Sequence, residues 1–153
     1  MKLSFLLTAL LLFFTSSCKN KDSESAHRSE NNIDAARNFI RAALDGKFTE
    51  ARTYMLTDSV NTNYMDVAER SYQRADQSLK DGYRSSSIRI FSPVITINDS
   101  TTIIIYSNSF KNDPDTLKVL KKNGEWLVDL KYLYEHAEDT SLQHSTVIND
   151  TIK

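Results

Sequence analysis

Leu117-Lys118-Val119-Leu120-Lys121-Lys122-Asn123-Gly124-Glu125-Trp126-Leu127-Val128-Asp129-Leu130 is the one stretch of this chain that can be folded to the level of register by eye. Asn-Gly is the preferred pair for a type I′ turn, because both central residues must adopt positive φ. Centring the turn there pairs Lys122 with Glu125, Lys121 with Trp126, Leu120 with Leu127, Val119 with Val128, Lys118 with Asp129 and Leu117 with Leu130. One face then carries Leu117, Val119, Trp126, Val128 and Leu130. The other carries two opposite-charge pairs around Leu120 and Leu127. Both kinds of pair favour this register, and a slip of one residue would turn Trp126 to the wrong face.

Working upstream, residues 88–97 and 101–110 are rich in β-branched side chains and read as two more strands. Pro93 interrupts the first, which calls for a bulge or an edge position. Asn98-Asp99-Ser100 is the turn between them, and Asn112-Asp113-Pro114-Asp115 is the next. Residues 101–110 are apolar on both faces near the middle, so this strand is expected to be central and covered on both sides. The result is a four-stranded antiparallel sheet.

Before residue 83 the period is helical. Ile33, Ala36, Phe39, Ile40, Ala43 and Leu44 share one face, with Asn32 as the N-cap and Gly46 as the C′ stop. A short helix is predicted over residues 48–55, then a polar link over 58–62. A third helix follows, with Met65, Ala68, Tyr72, Ala75 and Leu79 inward and Gly82 as its stop. Three helices followed by a sheet make an α+β domain, with the helices packed on one face.

The N-terminus reads differently. Lys2, an apolar run from Leu3 to Phe14 and Thr15-Ser16-Ser17-Cys18 have the order of a secretory signal. About twelve residues at roughly 1.5 Å each reach about 18 Å, short of the roughly 30 Å of bilayer hydrocarbon. Cys18 is the only cysteine, so it has no disulfide partner in the chain. Thr15-Ser16-Ser17-Cys18 resembles a relaxed bacterial lipobox of the Bacteroidota type, which implies lipidation of Cys18 and a membrane-anchored protein of the cell envelope, at the outer membrane on either its periplasmic or its outer face. An ordinary signal peptide with an incidental cysteine is the alternative. Residues 18–31 are polar and charged, and form a tether of about 20 Å. Taking the 17 signal residues from 153 leaves 136, enough for one domain, placed at 32–135 with a polar tail at 136–153.

Only Lys2 of the 19 basic residues lies in the signal, so 18 basic residues face 20 acidic ones in the remainder. That balance argues against nucleic acid as a partner. No cofactor motif is present: there is no glycine-rich phosphate loop and no Gly-x-Ser-x-Gly elbow. Glu135-His136-Ala137-Glu138-Asp139 is the one run where histidine meets carboxylates, and it reads as solvated rather than as a metal site.

Ala35-Ala36-Arg37-Asn38-Phe39-Ile40-Arg41-Ala42-Ala43-Leu44-Asp45-Gly46-Lys47-Phe48, then Ala51, and the closing Lys122-Asn123-Gly124-Glu125-Trp126-Leu127-Val128 resemble the NTF2-like (cystatin-like) superfamily, in particular its DUF4878 type. The resemblance implies a cone whose curved sheet faces the long helix and often encloses a pocket. It also leaves two functions open. One is a non-catalytic domain binding a small apolar ligand or an envelope protein partner. The other is an isomerase- or dehydratase-type enzyme using a cavity carboxylate and a tyrosine. Tyr72, Tyr106 and Trp126 are the candidate pocket-lining residues, and Tyr106 either lines the cavity or packs outward under a helix. Asp66 and Glu69 are the carboxylates considered for the enzyme, with Tyr54 and Tyr64 as further phenols. Both acids lie off the apolar helix face, so no catalytic residue is assigned.

Overall fold

The computed structural model describes residues 29–135. Cys18, the signal, most of the tether and residues 136–153 lie outside the described residues. The elements run α1 (Asn32–Leu44), α2 (Phe48–Thr53), α3 (Ser59–Arg74), α4 (Gln77–Ser85), β1 (Ile88–Ile90), β2 (Ile95–Asn98), β3 (Thr101–Asn108), β4 (Asp115–Lys122), β5 (Glu125–Asp129) and α5 (Lys131–Glu135). The architecture is α+β, with an open antiparallel sheet.

The hairpin has the register expected of it: Lys118 faces Asp129, Val119 Val128, Leu120 Leu127, Lys121 Trp126 and Lys122 Glu125. Asn123 and Gly124 both have positive φ, 52° and 83°, as a type I′ turn requires. Parity then carries across the sheet. Thr102 pairs with Val119, Ile104 with Leu117 and Tyr106 with Asp115. Ile104, Leu117, Val119 and Val128 are wholly buried against Ala35, Ala36, Phe39 and Ile40 of α1. β3 is central, paired with β4 on one side and with β1 and β2 on the other. Its middle is buried on both faces, at Ile103 and at Ile104.

Three expectations are corrected. The sheet has five strands rather than four, because the ladder breaks between Ile90 and Ile95 around Pro93, which has no N–H to give. Both pieces sit on the edge beside β3, one of the two positions a proline there allows. The predicted third helix is two. Asp76 caps a new one, its carboxylate accepting from the N–H of Leu79 at 2.7 Å, and Ala75 is extended. Gly82 therefore lies inside α4 and is no stop; a Cβ there would come within 2.4 Å of the Phe110 ring, so the position admits a close ring. The N-cap of α1 is Asn31 rather than Asn32, accepting from Asp34 N–H at 3.0 Å, and this frees the Asn32 amide to reach the Thr102 hydroxyl on β3 at 2.8 Å.

Gly46 does end α1. Its φ is +75°, Gly46 N–H donates to Ala43 and Lys47 N–H to Ala42, the paired bonds of a Schellman motif. Past α2 the chain lies along the far edge of β5: Val128 N–H donates to Tyr54 at 2.8 Å, and Leu56 N–H to Val128 at 2.9 Å. That contact covers an edge otherwise open to pairing.

The segment expected to be a polar link is also a structural joint. Asp58 caps α3, accepting from the N–H groups of Val60 and Asn61. Asn61 is fully buried; its amide donates to Asp58 at 2.7 Å and Asp129 at 3.3 Å, and its carbonyl accepts from Leu130 N–H at 2.7 Å. Lys131 closes the set on Asp58 at 3.0 Å.

Candidate functional site

Between the helices and one end of the sheet lies a cavity of about 380 Å³. Phe39, Ile40, Ala43 and Leu44 of α1 form one wall, with Phe48 of α2 beside them. Ala68, Ser71 and Tyr72 of α3, Ala75, and Leu79 and Tyr83 of α4 form the other. The apolar repeat Ala68–Tyr72–Ala75–Leu79 thus keeps one orientation through the break between α3 and α4. The floor is polar: Tyr106 and Asn108 at the end of β3, and Asp115 at the start of β4.

Among the described residues Asp115 is the one acid on this surface, and no Lys, Arg or His lines it. The strand pairing sets Asp115 opposite Tyr106, whose hydroxyl donates to its Oδ2 at 3.3 Å. Oδ1 accepts from the N–H of Thr116 at 2.7 Å. Burial pushes the Asp115 carboxyl above the ordinary carboxylate range, and the bonds from Thr116 and Tyr106 offset this in part.

Tyr72 lies along the wall. Its ring meets Phe48 edge-on at 5.4 Å between centroids, and its hydroxyl reaches the Leu44 carbonyl at 3.4 Å. A Cβ on Gly46 would come within 2.5 Å of that ring, so Gly46 is fixed by contact as well as by φ. α4 buries no residue of its own. Arg41 of α1 holds it instead, donating to the carbonyls of Ser86 at 2.7 Å and of Tyr83 and Arg84 at 3.2 Å, while pairing with Asp45 at 2.7 Å. Those carbonyls close the C-terminal end of α4, where a cation also complements the helix dipole.

The cavity brings Tyr72 and Tyr106 together and leaves Trp126 out. Trp126 sits half-buried on the hairpin with the Lys121 ammonium 5.5 Å from its ring centre. Asp66 and Glu69 are also elsewhere: one nitrogen of Arg52 holds both, at 2.8 and 2.7 Å. Tyr54 is buried in the core and Tyr64 packs against it, neither at the cavity. Asp115, by contrast, escaped the sequence reading, which placed it in a turn. The signal was present, because alternation carried back from Val119 and Leu117 puts Asp115 on the same face.

Among the described residues no group of three or more His, Cys, Asp or Glu is arranged to hold a metal ion. No helix among them is long and apolar enough to cross a membrane. The fold and site together define an α+β domain with a helix-walled, largely apolar cavity bordered at one end by a carboxylate–phenol pair. No protein-family model, curated protein or solved structure matches this chain.

Proposed function

We propose that this chain is a lipid-anchored protein of a bacterial envelope whose folded domain binds a small apolar ligand without transforming it. The cavity carries the reading: about 380 Å³, mainly apolar and aromatic along its walls, with its charged group at one end. That is the common form of a small-molecule site, where apolar walls supply affinity and a few placed polar groups supply orientation. An NTF2-like cone of the DUF4878 type accounts for helices preceding an antiparallel sheet with a cavity between them. Lipid on Cys18 supplies the membrane contact, at the outer membrane, with the polar tether as spacer.

Two measurements test this. Native mass spectrometry and titration with a neutral apolar dye are expected to show one bound molecule, and Ala43→Phe, which fills the cavity, is expected to weaken dye binding at least about tenfold. A protein that neither retains a ligand nor takes up dye does not have this function. Separately, Cys18→Ala is expected to move the protein out of the membrane fraction; unchanged fractionation removes the lipid anchor.

The pair Asp115–Tyr106 favours a second reading, in which the carboxylate abstracts a proton and the phenol donates to the developing oxyanion. Incubation with an apolar ketone in deuterated water separates the two. Deuterium appearing next to the carbonyl, and lost in Asp115→Asn, supports the enzyme; none is expected for a binding domain.

A further inference from the structure

We propose that the ligand carries a protonated amine, seated against Asp115 while its apolar body lies among α1, α3 and α4. This deepens the ligand-binding reading and rests on it. The charge pattern is the first reason. Among the described residues Asp115 is the only charged one around the cavity, and no cation lines it. Lys80 and Arg84 line a separate cleft that shares Phe48 and Tyr72. An anionic head, such as a fatty carboxylate, would sit beside a like charge with no cation to offset it. A neutral head would leave a desolvated carboxylate without a counter-charge. An ammonium removes both penalties.

Hydrogen-bonding capacity is the second reason. An ionised carboxylate offers about four acceptor sites. The N–H of Thr116 and the hydroxyl of Tyr106 take one oxygen each, at 2.7 and 3.3 Å, which leaves acceptor capacity that an ammonium can use. The third reason is the ring content. Phe39, Phe48, Tyr72, Tyr83 and Tyr106 all border the cavity, and aromatic faces attract cations. The raised carboxyl agrees with a site completed by an outside cation, since burial is its first cause and an ammonium opposes that shift.

Three probes with one chain length test the proposal: decylammonium, decan-1-ol and decanoate. The full chain bearing Cys18→Ala is titrated calorimetrically with each, without detergent and well below micelle formation. Decylammonium is expected to bind at least about tenfold tighter than decanol, as a charge-assisted hydrogen bond would give, with decanoate weakest. Asp115→Asn is expected to bring decylammonium to the level of decanol while decanol itself changes little. Equal binding of amine and alcohol to the unsubstituted cavity overturns the amine proposal and leaves the apolar site standing. So does an amine preference that survives Asp115→Asn. Failure of all three probes to bind removes the ligand-binding reading as well. Should Asp115→Asn fail to fold by circular dichroism, the ranking of the three probes on the unsubstituted cavity decides alone.

Discussion

At the scale of single residues, Asp115 and Gly46 are placed for opposite reasons. The Asp115 carboxyl is raised, so the folded state binds its proton more tightly than the unfolded chain does. Ionising it therefore costs stability: the cost is absent below the unfolded value near 4, grows as pH rises through the folded value, and is constant above it. Asp115→Asn is thus expected to raise the melting temperature of the ligand-free protein at pH 7, with the difference closing by pH 3. A lower melting temperature at pH 7 would mean that the bonds from Thr116 and Tyr106 outweigh the burial. A group that stabilises nothing in the empty protein is what a binding residue should look like. Gly46 is the reverse. An alanine there meets a positive φ and the Tyr72 ring together. Gly46→Ala is expected to destabilise by about 1 kcal/mol or more in chemical denaturation, and by nothing measurable if the ring and the Schellman turn both relax.

At the scale of elements, α4 is the wall held by hydrogen bonds rather than by burial. Arg41→Ala removes three bonds to its C-terminal carbonyls, so hydrogen exchange over residues 77–85 is expected to accelerate while the amides of β3 and β4 stay protected. Arg41→Lys is not expected to rescue, since an ammonium cannot span three carbonyls as a guanidinium does. Uniform acceleration across the domain would show instead that α4 and the core open as one. The same element marks where the sequence stopped being legible. Helical period gave the inward face of α3 and α4 correctly, because Leu79 keeps phase with Tyr72. Period alone could not see the break, since a capped restart at Asp76 preserves that phase. Gly82 misled for a related reason: the glycine serves the Phe110 ring, which is distant in sequence, and not the local helix end. The hairpin was legible to the residue because turn chemistry, charge pairing and apolar pairing agree there. The cavity was half legible. Tyr72 and Tyr106 lie on readable faces, while Asp115 looked like one more polar residue in a turn sequence. Alternation from Leu117 gives it a face, but only pairing with Tyr106 across β3 and β4 gives it a partner, and pairing between separate strands has no local signal.

At the scale of the molecule, helices and sheet are joined at two points that burial alone does not explain. One is Asn32 on Thr102, at the start of α1. The other is the joint of Asp58, Asn61, Asp129 and Lys131, which ties the start of α3 to the end of β5 and to α5. Asn61 is its hub, fully buried and with both side-chain polar atoms hydrogen-bonded. Asn61→Leu keeps the volume but leaves Leu130 N–H and one side of Asp129 without their partner, and is expected to cost about 2–4 kcal/mol. The joint also makes a pH-dependent contribution to stability. The Asp58 carboxyl is held well below the ordinary carboxylate range, first by the N–H of Asn61 and its amide, then by Lys131. A depressed acid contributes stability that is present above its unfolded value near 4 and is lost as pH falls through its folded value. The Lys131 ammonium is raised, chiefly by its bond to Asp58, so its contribution is full below its unfolded value near 10.4 and lost as pH rises past the folded one. The two charges of the joint therefore contribute fully between about pH 4 and pH 10, and their contribution declines outside that range. Asp58→Asn separates charge from capping, because asparagine still caps a helix. Its melting temperature is expected to lie below wild type at pH 7, with the gap narrowing as pH falls below the unfolded value near 4 toward the depressed folded value. Parallel curves across that range would mean that Asp58 acts only as a cap, and that acid sensitivity must come from another carboxylate.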